Sequence, residues 1–167
     1  MRRAPRLRLA AIAAVLALAI AGCGFHLRGA TPLPPAFAAS YLESADRYTD
    51  LNHALREALT LAGAHLMAER AAATAVIDLI SEDSGQRVLS VSAQNTPTEY
   101  EVYYTVRYRV RIGQKNALEP QTLTLTRNYS FNESALLAKE LERDNIRKAL
   151  AYELAALILR RLAALPP

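Results

Sequence analysis

From Glu99 to Ile112 the side chains change character at every step. Tyr100, Val102, Tyr104, Val106, Tyr108, Val110 and Ile112 form one set; Glu99, Glu101, Tyr103, Thr105, Arg107, Arg109 and Arg111 form the other. Successive side chains of a β-strand point to opposite faces, so this period of two buries the first set and displays the second. A split this clean suits an antiparallel sheet covered on one face only. Gly113-Gln114-Lys115-Asn116 supplies a turn, and Gln121 to Phe131 resumes the pattern, with threonines on one side and Leu123, Leu125, Arg127, Tyr129 and Phe131 on the other. Arg127 is the exception in that apolar set. A guanidinium there needs a carboxylate, a carbonyl or an anionic ligand near the sheet end.

The remaining elements follow from period and punctuation. Phe37 to Ser44 reads as a short first strand. Thr49 or Asp50 then caps a helix in which Leu51, Leu55, Ala58, Leu59 and Ala62 recur at helical spacing, and Gly63 stops it. Ala75–Ile80 and Val88–Val91 read as strand, with turn formers at Asp83, Ser84 and Gly85 between them; one bulged strand and a hairpin both fit. Asn132 or Ser134 caps a long last helix striped by Ile146, Leu150, Leu154, Leu157, Ile158, Leu162 and Leu165. The order predicts an α+β fold, with two amphipathic helices packed on one face of a mostly antiparallel sheet of about four strands.

Ahead of the domain, Arg2, Arg3, Arg6 and Arg8 precede an apolar run from Leu9 to Ala21. That run is shorter than the ~20 residues a spanning helix needs, and its layout is that of a secretory signal peptide over residues 1–22. Cys23, the single cysteine, follows Ile20-Ala21-Gly22, which resembles the lipobox of bacterial lipoproteins. The resemblance implies a diacylglycerol on the Cys23 sulfur, cleavage before it and acylation of the new amino group. Gly24, in place of an inner-membrane-retaining aspartate, points to the outer membrane. Residues 23–36 are then a lipid-anchored, Pro-rich spacer and 37–167 a single domain. Acylation consumes the lone thiol, which leaves none for a disulfide.

Charge and motif content narrow the function. The formal charge of +4 belongs to the leader: without its four arginines the chain holds equal numbers of bases and acids. The global basicity that accompanies nucleic-acid binding is therefore missing from the mature chain. His26, His53 and His65 lack metal-ligand spacing, the serines sit in no nucleophile elbow, and no glycine loop is built for phosphates. No catalytic residue, metal or cofactor is expected, and the chain reads as a non-enzyme.

Three stretches resemble the LPS-assembly lipoprotein LptE family. They are Cys23-Gly24-Phe25-His26-Leu27-Arg28-Gly29, Thr98-Glu99-Tyr100 leading into the alternating strand, and Ala138-Lys139-Glu140 with the helix from Asp144 to Leu162. The resemblance implies a domain inside an outer-membrane β-barrel, the LPS-assembly protein LptD, which it plugs, helps to fold, and serves by receiving lipopolysaccharide. A hydroxyl-rich outer strand face would suit a polar barrel interior. Lipid A phosphates would need clustered cations. Lys139, Arg127 and Arg143 are the candidates for lipopolysaccharide, Lys139 first because it matches the family motif near a helix start. Phe25, His26, Arg107 and Arg109 are candidates for partner contact, and Arg111 shares the same strand face. A plain solvated face is the competing reading for each single cation. The loop Ser92-Ala93-Gln94-Asn95 has no basic residue where some members carry one, so the resemblance supplies no head-group cation there. The alternative function is an adaptor lipoprotein of another envelope transport or barrel-assembly machine.

Overall fold

A computed structural model describes residues 32–131 and 135–166. Cys23, Phe25, His26, the signal segment and the expected caps Asn132 and Ser134 lie outside the described residues. Described elements run β1 (Ala39–Ser44), α1 (Asp50–Leu61), β2 (His65–Leu66), β3 (Ala75–Val91), β4 (Pro97–Ile112), β5 (Lys115–Ser130) and α2 (Leu136–Ala163). They build a five-stranded sheet in the order β2-β1-β3-β4-β5.

The sheet corrects the expectation of about four mostly antiparallel strands. β1 pairs in parallel with both β2 and β3, while β3-β4-β5 form an antiparallel meander. The parallel pair is a consequence of α1: a strand that returns in the same direction needs a crossover, and the helix between β1 and β3 provides it. β2 was missed because two residues carry no period. Of the two readings for residues 75–93, the single bulged strand is the one adopted. Leu79 lies opposite Tyr108 and Ser81 opposite Arg107, so Ile80 is an extra residue that shifts the phase of β3. β5 starts earlier than the pattern suggested, and Pro120 falls where its register slips against β4, a position an edge strand tolerates.

Local chemistry sets the ends of α1. The Thr49 hydroxyl accepts from the Asn52 amide at 3.1 Å as N-cap. At the far end Gly63 has φ +89°, its amide donates to the Thr60 carbonyl, and the Ala64 amide reaches back to the Leu59 carbonyl. That pair of bonds is a Schellman stop, which favours glycine at its left-handed residue. Gly113, with φ +57°, serves likewise in the two-residue β4–β5 turn.

Both helices cover one face of the sheet. Leu51, Leu55 and Leu59 of α1 and Leu150, Leu154, Ile158 and Leu162 of α2 are fully buried against Ile77, Val102, Val106, Tyr108 and Val110. Asp50 meets Arg147 and Glu57 meets Tyr152, so the helices run side by side in the same sense. Glu153 meets Arg127 and Arg161 meets Gln121, which lays α2 antiparallel along β5. A polar knot ties this layer together: Glu82 accepts from the Tyr104 hydroxyl at 2.9 Å and from Thr49 at 3.2 Å. Burial raises the Glu82 carboxyl above its ordinary pKa, against the pull of those two hydrogen bonds. Burial likewise pushes the Tyr104 phenol up, helped by the neighbouring Glu82 charge.

Candidate functional site

The two ends of the sheet differ in what covers them. At the end formed by the close of β3, the start of β4 and the close of β5, the core becomes aromatic. Tyr100 stacks on Tyr129 at 5.8 Å between centroids and meets Phe131 edge-on at 5.2 Å. The Tyr129 hydroxyl donates to the Gln86 side chain at 2.8 Å, and burial raises its pKa, offset in part by the Arg143 charge. The Lys139 ammonium lies 6.0 Å from the centre of the Tyr129 ring, at the outer reach of a cation–π contact. Around this cluster the apolar side chains are not covered. Val88, Leu89 and Val91 of β3 and Leu136, Leu137 and Leu141 of α2 are all exposed.

The first turns of α2 thus set cations beside exposed leucines. Arg127 joins Ala138, Leu141, Glu142 and Ile146 along a groove between β5 and α2. Arg143 and Arg147 border a second depression with Ser84 and Gln86. Each of the three lipopolysaccharide candidates already has a carboxylate: Lys139 bonds Glu142 at 2.8 Å, Arg143 lies 3.1 Å from Asp144, and Arg127 pairs with Glu153. Arg127 is therefore half-exposed and paired with α2, rather than buried. An anion arriving here competes with acids that are themselves in water, a modest barrier because exposed ion pairs are worth about 0.2–1 kcal/mol.

Of the partner-contact candidates, Arg107 and Arg109 lie with Arg111 on the sheet face that no described helix covers. Arg109 aims Nε and Nη2 at one oxygen of Asp78, at 2.8 and 2.7 Å. Arg111 sits 3.5 Å from Glu43, which also bonds Arg70. Arg107, opposite Ser81 and Thr122, is exposed and has no ion-pair partner among the described residues. Of the strand arginines it alone is uncommitted. The structure therefore separates the candidates into two groups, one around the start of α2 and one on the open face. The aromatic cluster escaped the sequence reading, although the in-phase positions of Tyr100, Tyr129 and Phe131 carried its signal.

Among the described residues no helix is long and apolar enough to cross a membrane. A family model described as LptE: Lipopolysaccharide-assembly matches residues 37–162. The LPS-assembly lipoprotein LptE of Pectobacterium atrosepticum is 30% identical over 152 residues, spanning 89% of this chain and 82% of that protein. Lipoprotein B of Nitrosomonas europaea, solved by NMR and 27% identical, superposes with a TM-score of 0.68 over 84% of this chain and 91% of that one. The rare lipoprotein B of Shewanella oneidensis, also 27% identical, gives 0.66 over 75% and 94%. From its first strand to the end of its last helix, this chain belongs to the LptE lipopolysaccharide-assembly family.

Proposed function

We propose that this chain is an outer-membrane lipoprotein of lipopolysaccharide assembly, held by acylated Cys23. In this reading it joins the LptD β-barrel, plugs its lumen, aids its assembly and takes part in placing lipopolysaccharide in the outer leaflet. The observation that carries the reading is the amphipathic end of the sheet, where Lys139 lies over Tyr129 and the Arg143 charge reaches it, beside exposed Leu136, Leu137 and Leu141. A ligand with anionic groups next to acyl chains matches such a surface, since the cations take phosphate and the leucines take hydrocarbon. No step in this role makes or breaks a covalent bond.

Two experiments test it. Mild detergent extraction should bring the chain down with a stoichiometric large β-barrel; a periplasmic partner alone, or none, would reject the plug. Lys139→Ala combined with Arg127→Ala should weaken lipopolysaccharide binding about tenfold or more while circular dichroism stays unchanged. Undiminished binding by the folded double variant would remove the head-group assignment. Metabolic labelling with palmitate checks the anchor, and Cys23→Ser should abolish the label.

A further inference from the structure

The uncovered sheet face carries a second arrangement, away from the amphipathic end. Gly85 of β3 lies opposite Tyr103 of β4. A Cβ at Gly85 would stand 2.8 Å from the Tyr103 hydroxyl oxygen and 3.1 and 3.2 Å from two ring carbons. The phenol therefore lies down across the neighbouring strand, in space that only glycine leaves. Glycine weakens a strand interior, and here the backbone does not ask for it, because the positive φ values belong to Gly63, Gly113 and Asn95. What Gly85 supplies is room for a ring resting flat, with its other side toward solvent.

Around that ring, Asp83, Arg87, Thr105, Thr124 and Thr126 line a shallow depression of about 460 Å³. Thr105 and Thr124 share one hydrogen bond at 2.9 Å between their hydroxyls, so one hydroxyl proton and several lone pairs remain for a visitor. Asp83 has no ion-pair partner among the described residues, and Arg107 lies two positions along β4 from Thr105. The lining holds no aliphatic side chain. Hydroxyls, a carboxylate and an aromatic ring gathered in one depression fit a polyhydroxylated ligand.

We infer that this patch binds a saccharide unit bearing an acidic substituent. The C–H face of a pyranose stacks on Tyr103, its hydroxyls donate to Asp83 and exchange hydrogen bonds with the threonines, and Arg107 receives the acidic group, since Arg87, though exposed, is already paired with Glu101. The inference rests on the lipopolysaccharide-assembly reading only for which sugar reaches the patch.

The test uses the isotope-labelled mature lipoprotein in detergent micelles. Its probe is the lipid-free core oligosaccharide released from lipopolysaccharide by mild acid, with maltoheptaose as a neutral control. The core oligosaccharide should shift the amide resonances of Asp83, Tyr103, Thr105 and Thr124, and should bind at least tenfold more tightly than maltoheptaose. Tyr103→Ala should weaken it at least tenfold, and so should the shape-conserving pair Thr105→Val and Thr124→Val, while Tyr103→Phe keeps most of the affinity. If the ring merely covers a weak glycine, Tyr103→Ala lowers stability and both variants bind as before, which overturns the inference. Shifts confined to the Lys139 end overturn it too. Intact lipopolysaccharide bound without any response to the oligosaccharide sinks the inference and spares the assembly reading. Oligosaccharide bound at these amides without intact lipopolysaccharide does the reverse.

Discussion

On one side of β4, Val102, Tyr104, Val106, Tyr108 and Val110 are buried; on the other, Arg107 stands in water while Arg109 pairs with Asp78 and Arg111 with Glu43. The same backbone carries both rows. The contrast shows that alternation fixes which side a residue takes, whereas burial depends on where the helices reach. Tyr100 is in phase with the buried row yet only partly covered, because the aromatic end lies beyond the close-packed part of the helix layer. Function in this family member is therefore sought where cover runs out, at the start of α2 and across the bare face.

That contrast can be broken in graded ways. The largest effect belongs to the covered side: Ile158→Ala, in a fully buried position, should cost about 2–5 kcal/mol in equilibrium denaturation. A loss below 1 kcal/mol would mean that the helix layer is not the principal core. On the bare side Asp78 is buried and bonded by Arg109. Asp78→Ala should cost about 1–3 kcal/mol, and removal of Arg109 as well should recover part of it.

Smaller again is the pH response of Glu82. Its folded pKa lies above the ordinary value of 4.5 because burial disfavours the charge. The native state thus binds the proton more tightly than the unfolded chain. The contribution is fully present below pH 4.5 and is lost as pH rises through the folded pKa. Glu82→Gln keeps the hydrogen-bonding shape and should flatten this part of the stability profile; an unchanged slope would assign it to other groups. At the bottom of the scale, Arg107→Ala should stay within about 0.5 kcal/mol, so any loss of partner or ligand binding by that variant reports on contact and not on folding.

Legibility in the sequence followed the same division. The faces of β4 and the caps of α1 were readable because each depends on near neighbours: a period of two, a threonine before a helical run, a glycine after it. The parallel pairing of β1 with β3 was within reach too, since strand, helix, strand is the signature of a crossover, whereas the two-residue β2 was not. Bulges were not. Ile80 offsets the two halves of β3, so neither half predicts the phase of the other, and Asp83-Ser84-Gly85 resembles a turn when it is a stretch of strand shaped for Tyr103. At the site, Lys139 with Glu142 is a helical neighbour pair and could be read at that spacing. Arg127 with Glu153 joins a strand to a helix, and only the antiparallel return of α2 brings them together.

The two rims of the sheet are unequal. One ends in the two-residue β2, while the other is β5, sixteen residues that alternate threonine and leucine from Thr122 to Thr126, with no further strand beside it among the described residues. Amide and carbonyl groups along such a margin attract any extended backbone, that of a sibling molecule included. Whatever covers that margin therefore also guards against self-pairing. Surplus copies are expected to zip together side by side, and a proline placed at Thr124 would suppress that clumping.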